Sequence, residues 1–520
     1  MTDAAGAQQR ADDLVEQARA GYVVAGAAME LGALMLDADT VVADAPVRAP
    51  IGMLNRHALV TGATGTGKTK TLQQMAEQLS TAGVPVFAAD MKGDLSGLLA
   101  PGAESEKVRA RAQQIGQDWQ PTGYPVELYA LGGRGIGLPV RATVTSFGPL
   151  LLSKVLGLNR TQESSLGLVF HYADSAGLPL LDLSDLRAVL THLLSDDGKA
   201  ALKGLGGLSS ATAGVILRSL ITLEDQGADE FFGEPELDTA DLLRRADDGR
   251  GVVSLLELPG VQDRPALFST FLMWLLADLY GDLPEVGDAD LPSLVFFFDE
   301  AHLLFADASD AFLDQVAQTV RLIRSKGVGI VFVTQNPTDL PDEVLGQLGS
   351  RIQHAMRAHT PADAKALKAT VNTFPYSGYD DLGRVLTGLG IGEAVVTMMD
   401  DRGAPTPVAW TKLRAPQSLM APATPDAMRA VVAASPRNAV YTEVIDRESA
   451  REKLAAKVEQ GAATQEAERH VPAQKPSSQA PPKQEQSTVE KVVGSKVFQD
   501  AARTAAREIV RGIFGAARRR

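Results

Sequence analysis

Short uninterrupted apolar runs recur along the chain: Ala58-Leu59-Val60, Val84 to Ala89, Val252 to Leu256, Ser293 to Phe298 and Ile330 to Val333. Continuous rather than alternating apolar character predicts parallel strands covered on both faces. Ala394 to Met398 and Val408 to Leu413 read as later, antiparallel strands that finish the same sheet. Between residues 149 and 245 the period changes. Leu186, Val189, Leu190, Leu193 and Leu194 fall at i, i+3, i+4, i+7 and i+8, and Ala213, Ile216, Leu217, Leu220 and Ile221 repeat the spacing. Such stripes pack a helical core far more often than they bind a ligand. The fold expected is α/β, a mostly parallel sheet carrying an α-helical insertion.

The same pattern sets the expected borders. Residues 1–56 form a short lead-in, with a polar helix over Asp12 to Ala20 and β-like pieces at Ala33 to Leu36 and Thr40 to Val42. Residues 57–148 and 246–415 are two parts of one core, and 149–245 is the helical insertion between them. Residues 416–488 hold a charged helix, Glu443 to Gln460, and a Pro/Gln/Ser-rich linker too poor in apolar residues to fold alone. In 489–520, Val493, Val497, Ala501, Ala505, Ile509 and Ile513 recur every four residues, among eight Lys or Arg and three acids. A basic amphipathic helix of this kind suits an acidic partner, a membrane surface or nucleic acid. The plainer reading is a solvated helix packed on its own protein.

Composition narrows the setting. At 520 residues the chain can hold two to four domains, and 45% hydrophobic with 22% charged residues is ordinary for a globular protein. The most apolar helix, Phe271 to Tyr280, is interrupted by Asp278 and is too short to span a bilayer. The polar start Met1-Thr2-Asp3-Ala4 lacks the order of a signal peptide. The absence of cysteine excludes disulfides and thiolate metal sites. A cytoplasmic setting is expected. The net charge of −14 argues against a surface coated for DNA, while leaving room for a basic channel inside a ring.

The chemistry begins at Gly62-Ala63-Thr64-Gly65-Thr66-Gly67-Lys68-Thr69, which fits G-x-x-x-x-G-K-[ST] between a predicted strand and a predicted helix, Lys70 to Leu79. A triphosphate needs inward backbone N–H groups, and glycines let the backbone approach it. Lys68 would meet the β- and γ-phosphates of ATP, and the Thr69 hydroxyl would complete an Mg²⁺ shell. A chance glycine turn is the alternative, and the flanking strand and helix weigh against it. Phe298-Asp299-Glu300 closes the most apolar strand, expected to be adjacent to the phosphate-loop strand. Asp299 is placed to reach the metal and Glu300 to polarise the attacking water. Gln335 follows the next strand, as a γ-phosphate sensor or a capping amide. Asp90 and Asp94 sit at a strand end, either near the nucleotide or making an Asx turn. Arg324, ahead of Gly327, suits a helix C-terminus or an arginine finger for a neighbouring subunit; Arg351 is the second finger candidate.

These strings, with Ala89-Asp90-Met91-Lys92-Gly93-Asp94-Leu95, Phe231-Phe232-Gly233-Glu234-Pro235, Ala301-His302-Leu303-Leu304-Phe305, Arg321 to Gly329, Gln335-Asn336-Pro337 and Ile509-Val510-Arg511-Gly512, run through nearly the full length. Together they resemble the HerA-like ATPases of the FtsK/HerA superfamily, in particular the YjgR-type group. The resemblance implies a RecA-like P-loop NTPase core and a homo-hexameric ring in which each site is completed by the next subunit. It also implies ATP hydrolysis driving a DNA translocase or helicase-like motor, with DNA in a central pore. Lys68, Thr69, Asp299, Glu300 and Gln335 take the family's nucleotide roles, and Arg324 matches its trans-acting arginine. The lead-in is shorter than HerA's β-barrel, and the insertion and basic tail are additions. An ATPase that remodels a protein or membrane-associated partner, or a nucleotide-gated switch, is therefore the alternative.

Overall fold

The apolar runs are strands of a single 12-stranded sheet. The computed structural model describes residues 2–202, 205–259, 265–287, 289–305, 310–375, 377–443, 445 and 447–469. The end of the Pro/Gln-rich linker and the basic helix expected over 489–520 lie outside the described residues. The chain divides into two units, Met1–Arg141 with Pro235–Glu443, and Ala142–Glu234 with Val444–Arg520.

The whole sheet belongs to the first unit. Its strands are β1 (Ala28–Met35), β2 (Val41–Pro50), β3 (Ala58–Thr61), β4 (Val86–Asp90), β5 (Val126–Leu131), β6 (Leu138–Val140), β7 (Val253–Glu257), β8 (Leu294–Phe298), β9 (Val328–Thr334), β10 (Ser350–Gln353), β11 (Glu393–Thr397) and β12 (Ala409–Leu413). They lie in the order β2-β1-β12-β11-β10-β3-β9-β8-β4-β7-β5-β6. From β10 to β6 every pairing is parallel, while β11, β12, β1 and β2 add antiparallel strands. Strands β3, β4, β7, β8 and β9 are buried at every position, which is why they are mostly apolar. Strand β10 is polar (Ser-Arg-Ile-Gln) and gave no apolar signal. Its polar groups are satisfied by partners distant in sequence: Thr61 Oγ1 donates to Gln353 Oε1 at 2.5 Å, and Met399 N donates to Ser350 Oγ at 3.2 Å.

The lead-in joins this sheet. Helix Thr2–Gly21 is followed by Tyr22, whose hydroxyl reaches the carbonyl oxygens of Val396 (3.0 Å) and Pro407 (2.6 Å). The second unit is helical in its described residues. Leu186, Val189, Leu190 and Leu193 are buried in helix Leu183–Leu194, and Ala213, Ile216 and Leu220 in helix Ser210–Asp225. The second stripe is narrower than its periodicity suggests, because Ile221 is 44% exposed. The charged helix runs Ala450–Arg469 rather than starting at Glu443. Its start is fixed by Glu452, whose carboxylate accepts from the Ser449 N–H at 3.1 Å.

One buried histidine gives the first unit a pH signature. The His57 ring bridges two backbone groups: Nδ1 accepts from Ile330 N at 3.0 Å, and Nε2 lies 2.7 Å from the Val320 carbonyl oxygen. Burial pushes its pKa down to about 4, with the Val320 hydrogen bond opposing and the Arg324 charge assisting. The unfolded chain therefore binds the extra proton first, so this contribution to stability is intact above pH 6.5 and is lost as pH falls toward 4. Between pH 7 and pH 5 the stability gap between wild type and His57→Asn is expected to narrow by about 2 kcal/mol in denaturant titrations. A gap that stays constant contradicts a neutral, bridging His57.

Candidate nucleotide site

Strand β3 ends at Thr61, and the chain turns through residues 62–67 into helix Lys68–Thr81. The turn is pinned on several sides. Gly62 N donates to the Gln335 carbonyl (3.2 Å), Ala63 N to the Ala355 carbonyl (2.8 Å), and Gly392 N to the Thr66 carbonyl (3.0 Å). Gly62 has φ 148°, and a Cβ there would lie 2.5 Å from His354 Cβ. Gly62→Ala is expected to lower stability by about 2 kcal/mol or more, read as a reduced unfolding midpoint. Lys68 is buried, and its Nζ donates to the carbonyl oxygens of Gly62 (2.7 Å) and Ala63 (3.3 Å). Burial lowers its pKa, opposed by the charges of Glu300 and Asp299 and assisted by that of Lys92. Behind the loop the His354 Nε2 lies 2.9 Å from Thr71 Oγ1. Burial and the Lys68 charge press that imidazole down to about 3, so it stays neutral.

The acids stand on β8. Its Phe296 and Phe298 rings pack 5.7 Å apart, and Phe298 lies 5.5 Å from Phe332 of β9. This apolar wall fixes the strand end that carries Asp299 and Glu300, which are only 4% and 8% exposed. Glu300 has φ 50°, and the turn is locked by Ala301 N donating to the Val333 carbonyl at 2.8 Å. The acids were expected on a strand adjacent to β3, but β9 lies between β3 and β8. Two strand spacings separate the loop strand from the acid strand, about 10 Å. Burial and the nearby Glu300 charge raise the Asp299 pKa to about 6, with Lys92 opposing.

The turn after β4 completes the constellation. Asp90 Oδ1 accepts from the N–H groups of Lys92 (3.2 Å), Gly93 (2.8 Å) and Asp94 (3.2 Å), and Oδ2 from Leu95 N (2.7 Å). Asp90 is thus the Asx-type organiser of its turn. That turn delivers Lys92, which forms an ion pair with Glu300. Asp94 is the foremost charge opposing the burial-lowered pKa of Lys70.

Does this site suit a divalent cation? Among the described residues no group of three or more His, Cys, Asp or Glu could hold a metal alone. Asp299 nevertheless carries a charge that its surroundings leave under-compensated, as its raised pKa shows. A cation held by Asp299 and Thr69, with phosphate and water as its other ligands, fits this donor set.

Residues 37–520 match the helicase HerA-like C-terminal family. The chain belongs to that family. The DNA double-strand break repair helicase HerA of Saccharolobus solfataricus is 20% identical over 357 residues, covering 67% of this chain and 63% of the relative. The chain therefore spans less than two thirds of that relative's length. Two structures of the conjugative coupling protein TrwB, a bacterial protein, share the fold. The unbound form of TrwBdeltaN70 gives a TM-score of 0.51 at 16% identity, covering 79% of this chain and 93% of that one. The complex with the GTP analogue GDPNP gives 0.52 at 16% identity, covering 79% and 94%. The architecture is that of the RecA-like P-loop ATPases.

Within this HerA-like chain the remaining sequence candidates separate. Gln335 follows β9 with an exposed side chain, and its carbonyl is the acceptor for Gly62 N. Capping of the next turn falls to Asn336 and Asp339 instead. Arg324 sits in the short turn Arg324–Lys326 ahead of β9, at the sheet edge opposite the phosphate loop. The length of β9, seven residues or roughly 20 Å, separates it from the loop of the same chain. Arg351 lies within β10, half-buried, with Nη1 3.4 Å from the Thr373 carbonyl oxygen. Two groups at the loop were not singled out by the sequence reading: His354 behind it and Lys92 across from it. Lys92 lies within Ala89-Asp90-Met91-Lys92-Gly93-Asp94-Leu95, and its ion pair with Glu300 is what distinguishes it there.

Proposed function

We propose that this chain, a member of the YjgR-type group of HerA-like proteins, is a cytoplasmic ATP-hydrolysing ring motor that translocates DNA. The observation carrying the reading is the convergence of Lys68, Asp299, Glu300 and Lys92 within interaction range of one another beside a glycine loop at a strand-to-helix bend. Lys68 and the loop N–H groups bind the β- and γ-phosphates. Glu300 orients the attacking water and receives its proton. Thr69 and Asp299 hold Mg²⁺, which when bound offsets charge on the β- and γ-phosphate oxygens. Gln335, exposed beside the loop, reports the γ-phosphate. TrwB, solved with GDPNP and with the ATP analogue ADPNP, supports a nucleoside triphosphate as the ligand class.

The placement of Arg324 supports a ring, a homo-hexamer in this reading. Its guanidinium makes no hydrogen bond or ion pair among the described residues, and it lies at the opposite end of β9 from the loop of its own chain. In a ring it serves the next subunit as an arginine finger. Mixing inactive Arg324→Ala and Glu300→Gln subunits is expected to restore part of the turnover, because half-mutant junctions pair an intact Glu300 with an intact Arg324. No recovery at any mixing ratio contradicts a finger acting in trans.

DNA as cargo is tested by ATP turnover with duplex and single-stranded DNA across a salt series. Stimulation at low salt that fades as salt rises is expected. No stimulation by any nucleic acid counts against DNA. The net charge of −14 favours a second reading, a motor acting on a protein or membrane-associated partner through residues 489–520. Deleting that segment would then abolish partner or liposome binding and spare basal hydrolysis.

A further inference from the structure

The ion pair between Lys92 and Glu300 has no obvious purpose as a stabiliser. The Lys92 side chain is 42% exposed, and pairs reaching solvent contribute little. Yet the protein builds the turn that presents Lys92 with care, closing it by four N–H groups on one buried carboxylate, Asp90. The partner it presents Lys92 to is Glu300, the group that must engage water. Glu300 Oε1 accepts from Lys92 Nζ, and Glu300 Oε2 lies 3.4 Å from His302 Nδ1. Glu300 Oε1 is thereby committed to Lys92, while the buried Oε2 makes no hydrogen bond among the described residues.

The surrounding charges say what releases Oε1. Lys68 and Lys92 lie within electrostatic range of each other and of both Asp299 and Glu300. Burial alone would lower the Lys92 pKa, but the Glu300 hydrogen bond and the charges of Asp299, Glu300 and Asp94 outweigh it and raise the pKa. The ammonium is therefore firmly charged. A terminal phosphate arriving beside Lys68 brings anionic oxygens into this group. It repels Glu300 and competes with it for the Lys92 ammonium.

We propose that Lys92 is a second phosphate-binding cation that exchanges its ion pair with Glu300 for the γ-phosphate of the bound nucleotide. The exchange lets Glu300 turn to water only when a γ-phosphate is present. ADP, lacking that group, leaves the Lys92–Glu300 pair closed. This inference rests on the reading of the site as an ATPase centre, and its test separates the two.

The test is calorimetric binding of ADP and of ATPγS, each with Mg²⁺, to the full chain. Lys92→Ala is expected to leave ADP affinity within about twofold of wild type and to weaken ATPγS by about tenfold or more. Lys92→Arg should recover most of the loss. Glu300→Gln, which strips Lys92 of its anion, should tighten ATPγS and leave ADP unchanged, giving a second arm that does not depend on a Lys92 variant. Parallel losses for both nucleotides, or no change for either, overturn the exchange while leaving the ATPase site standing. A wild-type chain that binds neither nucleotide overturns both.

Discussion

Lys68→Ala is expected to weaken binding of both ATP and ADP by about a hundredfold and to abolish turnover. The ammonium is buried, so a charge-assisted contact to phosphate there escapes the screening that weakens exposed pairs, and is worth about 3 kcal/mol. The substitution also strips the Gly62 and Ala63 carbonyl oxygens of their donor, which loosens the loop that must cradle the phosphates. The fold itself should survive, because strands β3, β8 and β9 keep their apolar cover. Fluorescent-nucleotide titration alongside a melting curve separates the two effects. Binding within threefold of wild type in a folded variant removes Lys68 from the site.

Glu300→Gln is the second large effect. Loss of a positioned general base lowers turnover by about 10²- to 10⁴-fold, whereas the amide keeps the shape of the side chain. Nucleotide binding is expected to persist, so the variant should accumulate bound ATP that filter binding detects. Turnover equal to wild type would falsify Glu300 as the water-activating group. The contrast between the two variants is informative because they sit on different elements, one at a helix start and one past a strand end, about two strand spacings apart.

Much of the sheet was legible because parallel strands buried on both faces leave continuous apolar runs. Strands β3, β4, β7, β8 and β9 each announce themselves in this way. Strand β10 does not, since Ser350 and Gln353 satisfy their polar groups within the sheet, a pairing only tertiary structure creates. The strand order was likewise hidden: nothing local says that β9, last of the three in sequence, inserts between β3 and β8. In the site, glycine spacing and an apolar strand ending in Asp-Glu carry their chemistry locally and could be read directly. Asp90 had two equally weighted readings, and the four N–H groups on its carboxylate give it the structural one. Lys92 and His354 acquire meaning only from partners 208 and 283 residues away. No periodicity encodes a contact of that range.

The central claim is that a nucleoside triphosphate sits between the loop at residues 62–69 and the acids at the end of β8. It is tested most directly by a structure of the Glu300→Gln chain with ATP and Mg²⁺. The terminal phosphate is expected beside Lys68 and Lys92, with the metal between Thr69 and Asp299. Nucleotide bound elsewhere, or bound at the loop with its metal remote from Asp299, contradicts the account.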